Sequence, residues 1–286
     1  MAFTKVEGLG NDFVLLDCMS HDLAGLEAEL AWAREHAPGV CDRRRGVGAD
    51  GILIVGPGSG EARASMIVVN FDGSRPEMCG NGLRCVAAFV AERVLGGAGS
   101  LVIDTDAGPK AAAVEVVEGE IEVTIDMGPG RMLGDRSPAS AHGRRLVGVS
   151  MGNPHAICFV AADEQPEALA RSLGPAIELD EVYAPDKTNV EFARVHERAG
   201  APPSIELWVW ERGVGITQAC GTGACATAVA AASEGLVASA TPIEVRLPGG
   251  RLWITVPEDP ARGVIMRGPA RRVFTGEFER ASFESR

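Results

Sequence analysis

One stretch of this chain is written twice. Cys79-Gly-Asn-Gly runs into Leu-Arg-Cys-Val-Ala-Ala-Phe-Val-Ala, and 141 residues later Cys220-Gly-Thr-Gly runs into Ala-Cys-Ala-Thr-Ala-Val-Ala-Ala-Ala. A second pair lies 142 residues apart, close to half of the 286: Gly10-Asn11 before Asp-Phe-Val-Leu-Leu, and Gly152-Asn153 before Pro-His-Ala-Ile-Cys-Phe-Val. Two anchors at one spacing mark a duplicated unit, which restricts the fold to two halves of one plan. A duplicated unit generally sets its halves about a pseudo-twofold axis, which would bring the turns of Cys79 and Cys220 together at a cleft.

Alternation of apolar and polar residues marks strands around Ile121, Val123 and Ile125, around Ile205, Leu207 and Val209, and around Leu252, Ile254 and Val256. Helical spacing predicts helices over Leu23–Ala37, Gly82–Leu95, Pro166–Leu173 and Thr222–Leu236. The class is α+β. The turn-rich stretch from Gly128 to Arg145 lies near the midpoint and is the expected boundary. It leaves halves of 1–130 and 146–271.

In both repeated turns a cysteine sits just ahead of a small-residue helix, with Asn81 or Thr222 as the expected N-cap. Unpaired N–H groups and the positive end of the dipole at such a start favour anions, so the spot lowers a thiol pKa and receives a carboxylate. The glycines let a ligand approach the backbone. A thiolate beside an anchored carboxylate suits removal of the α-proton of an amino acid, and a thiol on the other face suits its return. Two such groups at one carbon make a racemase or epimerase that needs no cofactor.

The remaining features narrow the partners. A net charge of −12 repels phosphate backbones and anionic membrane surfaces, which argues against nucleic acid. The apolar runs Cys85–Ala91 and Ala224–Ala232 fall well short of the roughly 18 residues a membrane helix needs. The N-terminal residues carry no signal-peptide core, so a cytoplasmic location is expected. Seven cysteines read as thiols rather than as a disulfide framework, with Cys85 and Cys225 in the core. The histidines are scattered and no Cys-x-x-Cys pair accompanies them, so no metal site is expected.

The ordered motifs resemble the diaminopimelate epimerase family along nearly the whole chain. They are Gly8-Leu-Gly-Asn-Asp-Phe-Val, Gly46-Val-Gly-Ala-Asp-Gly, Asn70-Phe-Asp-Gly-Ser, Met78-Cys-Gly-Asn-Gly-Leu-Arg-Cys, Met151-Gly-Asn-Pro-His, Thr188-Asn-Val-Glu-Phe, Trp210-Glu-Arg-Gly-Val-Gly and Ala219-Cys-Gly-Thr-Gly-Ala-Cys-Ala. The resemblance implies two pseudo-symmetric domains, each a curled, mostly antiparallel sheet around a central helix, with the C-terminal strand of 272–286 returning to the first. It implies cofactor-independent conversion of LL-2,6-diaminopimelate to the meso isomer, in lysine and peptidoglycan-precursor synthesis.

By the same resemblance Cys79 and Cys220 are the acid/base pair, and Gly80, Asn81, Gly221 and Thr222 hold the reacting carboxylate. Asn11, Asn70, Asn153, Asn189, Glu211 and Arg212 contact the rest of the substrate. His155 and Glu211 assist the thiols. A homodimer is implied. Two positions depart from the family pattern: Gly51 where some members carry Gln, and Ile216 where Glu is usual. The alternatives are an amino-acid racemase of the same fold acting on proline or hydroxyproline, and a thiol redox or ligand-binding protein.

Overall fold

The computed structural model describes residues 1–134, 140–197, 200 and 203–284. The expected boundary at Gly128–Arg145 therefore includes residues 135–139, which lie outside the described residues, as do the last two of 272–286. The chain divides into one unit of Met1–Ile125 with Gly268–Arg286 and another of Asp126–Arg267.

The first unit contains β1 (Ala2–Gly8), β2 (Asn11–Asp17), α1 (Leu23–Val40), β3 (Gly51–Pro57), β4 (Ala64–Asn70), α2 (Gly80–Val90), β5 (Gly99–Asp104), β6 (Lys110–Val117) and β7 (Glu120–Asp126). The second contains β8 (Arg131–Met132), β9 (Ser140–Ala141), β10 (Arg144–Arg145), β11 (Val147–Ser150), β12 (Pro154–Phe159), α3 (Pro166–Glu178), β13 (Asn189–His196), β14 (Ser204–Glu211), β15 (Gly215–Ile216), α4 (Gly221–Ser233), β16 (Ile243–Leu247) and β17 (Gly250–Thr255). After β18 (Ile265–Pro269) the chain returns through β19 (Arg271–Glu277), which pairs antiparallel with β1, and α5 (Ala281–Glu284).

The duplication is visible in the pairing. In the first unit β1–β2, β3–β4, β5–β6 and β6–β7 are antiparallel while β2–β3 and β4–β5 are parallel. In the second, β11–β12, β13–β14, β16–β17 and β17–β18 are antiparallel while β12–β13 and β14–β16 are parallel. The order of senses is the same.

Each sheet is buried on both faces, so its middle strands read as continuous apolar runs such as Ile52–Val55. On one face of the first unit, Val14, Leu16, Ile52, Ile54 and Val69 pack with Trp32, Ala33 and Ala37 of α1. The alternate residues Phe13, Leu15 and Leu53 point the other way. There α2 runs against β1 to β6 and β19, buried along nearly all of its length. In the second unit Ala156, Cys158, Val190 and Phe192 pack with Ala170 and Ile177 of α3, and α4 lies against β11, β12, β13, β16 and β17. A helix apolar on every side, as Ala224–Ala232 is, belongs inside a sheet that curls around it.

The helix bounds carry one correction. The inner helices begin at Gly80 and Gly221, not at Gly82 and Thr222 as sequence spacing suggested, because the cysteines themselves are the N-caps. Beyond Val90 the first helix widens into a π turn over Ala91–Leu95.

Candidate active site

At the start of α2, Cys79 is extended (φ −138°, ψ 111°) and its Sγ accepts a bond from Gly82 N at 3.4 Å. At the start of α4, Cys220 repeats the geometry (φ −116°, ψ 106°), with Gly223 N at 3.3 Å. Each sulfur thus occupies the place of a capping oxygen, where the helix-end field favours its anion. Glycine at the third helical position leaves room for close packing. A Cβ on Gly82 would lie 2.9 Å from Leu53 Cδ2, and one on Gly223 would lie 2.9 Å from Glu191 Oε1 and 3.2 Å from Cys220 Sγ.

An asparagine from a preceding turn stands beside each start. Asn81 Nδ2 donates to Asn11 Oδ1 at 3.2 Å, and the Cys79 thiol reaches the same oxygen at 3.9 Å. Asn11 is held from behind, its Nδ2 donating to Asp50 Oδ2 at 2.8 Å. Asp50 also receives Arg43 at 2.7 Å. On the other side of Asn81, the fully buried Arg84 donates to Asn81 Oδ1 at 3.0 Å and to Pro269 O at 3.1 Å. Asn70 ends β4 and ties its Nδ2 to Ser74 Oγ at 2.9 Å.

In the second unit Asn153 Nδ2 lies 3.5 Å from Thr222 Oγ1, which lies 3.5 Å from Cys220 Sγ. Asn153 Oδ1 meets His155 Nε2 at 3.0 Å, and His155 Nδ1 meets Glu191 Oε1 at 2.6 Å. Both members of this pair are fully buried. Burial raises the Glu191 carboxyl above its ordinary range, and the imidazole offsets part of that rise. Glu211 ends β14 with its carboxyl within reach of the Cys220 thiol, and burial raises its pKa as well. Cys220 is pushed well above the ordinary thiol range by its own burial and by the Glu211 and Glu191 carboxylates.

The other sequence-predicted residues fall around this start. Asn189 Nδ2 donates to Pro154 O at 3.1 Å, and its Oδ1 accepts from Arg212 N at 3.0 Å. The exposed Arg212 guanidinium donates to Asp186 O at 2.6 Å. Of the two departures, Gly51 lies opposite Asn70 with Val69 O only 2.6 Å from where a Cβ would sit, so no side chain fits. Ile216 packs with the α3 cluster.

Sequence reading missed Glu191, Arg84 and Asp50. Glu191 stands two residues after Asn189 and so shares its strand face, a signal that alternation alone could have supplied. Cys18, Cys41 and Cys85 are pushed up to about 12, chiefly by burial, and are poor nucleophiles. Among the described residues one group, Cys18, His21 and Glu29, gathers three donor atoms within 4.8 Å of one another. Its Glu29 is already ion-paired with Arg280, which weakens the case for a cation there.

Compared with known proteins, residues 3–133 and 147–273 match the model of the family described as Diaminopimelate epimerase. The chain belongs to the diaminopimelate epimerase family. A diaminopimelate epimerase of Desulforudis audaxviator is 42% identical, the alignment covering 98% of this chain and 100% of that one. That of Pelotomaculum thermopropionicum is 40% identical over 97% of this chain and 99% of its own. Among solved structures, a hydroxyproline epimerase from Agrobacterium vitis, with bound trans-4-hydroxy-L-proline, aligns with a TM-score of 0.65 at 16% identity, covering 97% of this chain and 90% of that one. A methylitaconate-delta-isomerase aligns with a TM-score of 0.66 at 13% identity, covering 99% and 97%. At such identities these two share the fold. Family membership makes the protein an isomerase.

Proposed function

We propose that this member of the family inverts one α-carbon of LL-2,6-diaminopimelate to give the meso isomer, with Cys79 and Cys220 as its two acid/base groups. The observation that carries the reading is the twofold occurrence of a cysteine capping the N-terminus of a buried central helix. Curated relatives at about 40% identity and full length supply the substrate. With a single carboxylate, proline or hydroxyproline would leave Arg212 and Asn189 without a role.

In this reading the reacting carboxylate lies against the helix starts, at Gly80 and Asn81 and at Gly221 and Thr222. One sulfur, as thiolate, takes the α-proton, and the electron pair passes into the carboxylate as an ene-diolate. Preorganised N–H donors and helix dipoles stabilise that added charge without reorganising. The other sulfur, as thiol, delivers its proton to the opposite face of the carbon. One C–H bond breaks and one forms, and the two cysteines exchange protonation states. The burial and carboxylates that disfavour the Cys220 thiolate suit it to the delivering role. Asn11, Asn70, Asn153, Asn189 and Arg212 would bind the remaining ammonium and carboxylate groups, and Glu211 would steady the thiol. A cytoplasmic location and assembly as a homodimer belong to the same reading, the latter checked by sedimentation.

The test is direct. Purified protein given LL-diaminopimelate without pyridoxal phosphate, nicotinamide or metal should form the meso isomer, resolved by chiral chromatography. Conversion of proline or hydroxyproline instead would contradict the reading.

A further inference from the structure

The buried His155–Glu191 pair has no counterpart in the first unit. Strand register pairs Leu15 with Leu53 and Ile157 with Glu191, and Phe13 stands two residues after Asn11 as His155 does after Asn153. The same two places thus hold Phe13 and Leu53 in one unit and His155 and Glu191 in the other. A buried carboxylate and imidazole are costly to desolvate where an apolar pair would fill the space, so they call for a task.

The hydrogen bonds define that task. In the first unit Asn11 is pinned directly by Asp50, whose carboxylate takes Nδ2 and leaves Oδ1 facing Asn81 and Cys79. In the second the pin is indirect. Glu191 Oε1 lies against His155 Nδ1, Asn153 Oδ1 can only accept and so calls for a proton on Nε2, and Nδ2 is left facing Thr222. The carboxamides are held in opposite senses, an acceptor toward one helix start and a donor toward the other.

We propose that Glu191 is a positioning residue: through His155 it fixes the carboxamide of Asn153, and through Asn153 the hydroxyl of Thr222 beside Cys220. The proposal rests on the reading of Asn153, Thr222 and Cys220 as binding and acid/base groups. Without the Glu191 carboxylate a neutral His155 can carry its one proton on either ring nitrogen, so a donor toward Asn153 Oδ1 is no longer imposed and the carboxamide is free to turn.

The variants are Glu191→Gln and the double variant His155→Phe with Glu191→Leu, which installs the pair the first unit uses. The double variant removes buried polar groups and fills the space, so it tests the proposal should Glu191→Gln unfold. With thermal midpoints near that of the parent, both should raise KM for diaminopimelate by about tenfold or more, with kcat falling less, as expected when a binding group is misplaced. KM and kcat of a folded variant within twofold of the parent would overturn the proposal.

A second readout is independent of turnover. In a Cys79→Ala background, alkylation of Cys220 by iodoacetamide is followed against pH. Cys220 is faced by the carboxylates of Glu211 on β14 and Glu191 on β13 and by its neighbour Thr222, with His155 on β12 paired to Glu191 and felt by Glu211. Glu191→Gln should move the midpoint to lower pH. An unmoved midpoint would overturn the link to Cys220 even if the parent proved inactive on diaminopimelate, an outcome that by itself would overturn only the substrate reading.

Discussion

The two helix starts have the same backbone, the same sulfur cap and the same asparagine neighbour, and they differ in what lies beneath them. Under Cys79 are Phe13 and Leu53, with the buried guanidinium of Arg84 alongside. Under Cys220 are His155 and Glu191, with Glu211 alongside. Through strand register Glu211 is the counterpart of Asn70, and Arg84, five residues after its cysteine, is the counterpart of Cys225. The duplication kept the backbone of the helix start and diversified the side chains that set the charge around it. The proposed two-thiol mechanism calls for that division, because one sulfur must hold a proton when the other does not.

The largest expected effect breaks the symmetry outright. Cys79→Ala and Cys220→Ala should each abolish epimerisation, since inversion needs a group on each face of the carbon. Near-parental turnover by either variant, measured by chiral chromatography, would end the two-thiol account.

Arg84→Met tests the first unit's buried charge. Removing the guanidinium leaves Asn81 Oδ1 and Pro269 O without this donor, and a buried acceptor left unsatisfied costs about 1 to 3 kcal/mol. Urea denaturation should show that loss, and an unchanged midpoint would mean that the contacts contribute little. Cys225→Ala, the matching change in the other unit, should be milder.

Arg212→Met tests whether the exposed guanidinium clamps a carboxylate. A charge-assisted bond of about 1.5 to 3 kcal/mol predicts a KM higher by roughly 10- to 100-fold. An unchanged KM would leave Arg212 with only its bond to the Asp186 carbonyl.

The smallest effect is on pH. The active form carries one thiol and one thiolate, so the rate should follow a bell, and the alkaline limb marks ionisation of the thiol. Neighbouring carboxylates disfavour the Cys220 thiolate, which places that limb above the ordinary thiol range. Glu211→Gln removes one of them, favours the thiolate and should move the limb to lower pH. A limb that stays put would separate Glu211 from the thiol.

The repeated cysteine turns made the duplication and the two cysteine-led helix starts legible, because Gly-rich helix entries and small-residue helices carry strong local signals. The cap itself was misread. Asn81 and Thr222 are better N-cap types than cysteine, yet in both units the sulfur holds the capping position, accepting from the N–H of the glycine three residues on. Arg84 in an apolar helix resembles a solvated charge, and only the surrounding sheet makes it a buried one. Glu191 was quoted within a motif but not given a role, since its partner His155 lies on another strand and comes beside it only through the parallel β12–β13 pairing.

The central claim is that two unequal thiols serve the two faces of one carbon. Protein equilibrated in heavy water and mixed with protiated LL-diaminopimelate for less than one turnover reads this directly by mass spectrometry and NMR. The account predicts one deuterium at the inverted α-carbon of the meso product and protium in the unreacted substrate. Protium retained at the inverted carbon would mean that a single group removes and returns the proton, and would contradict it.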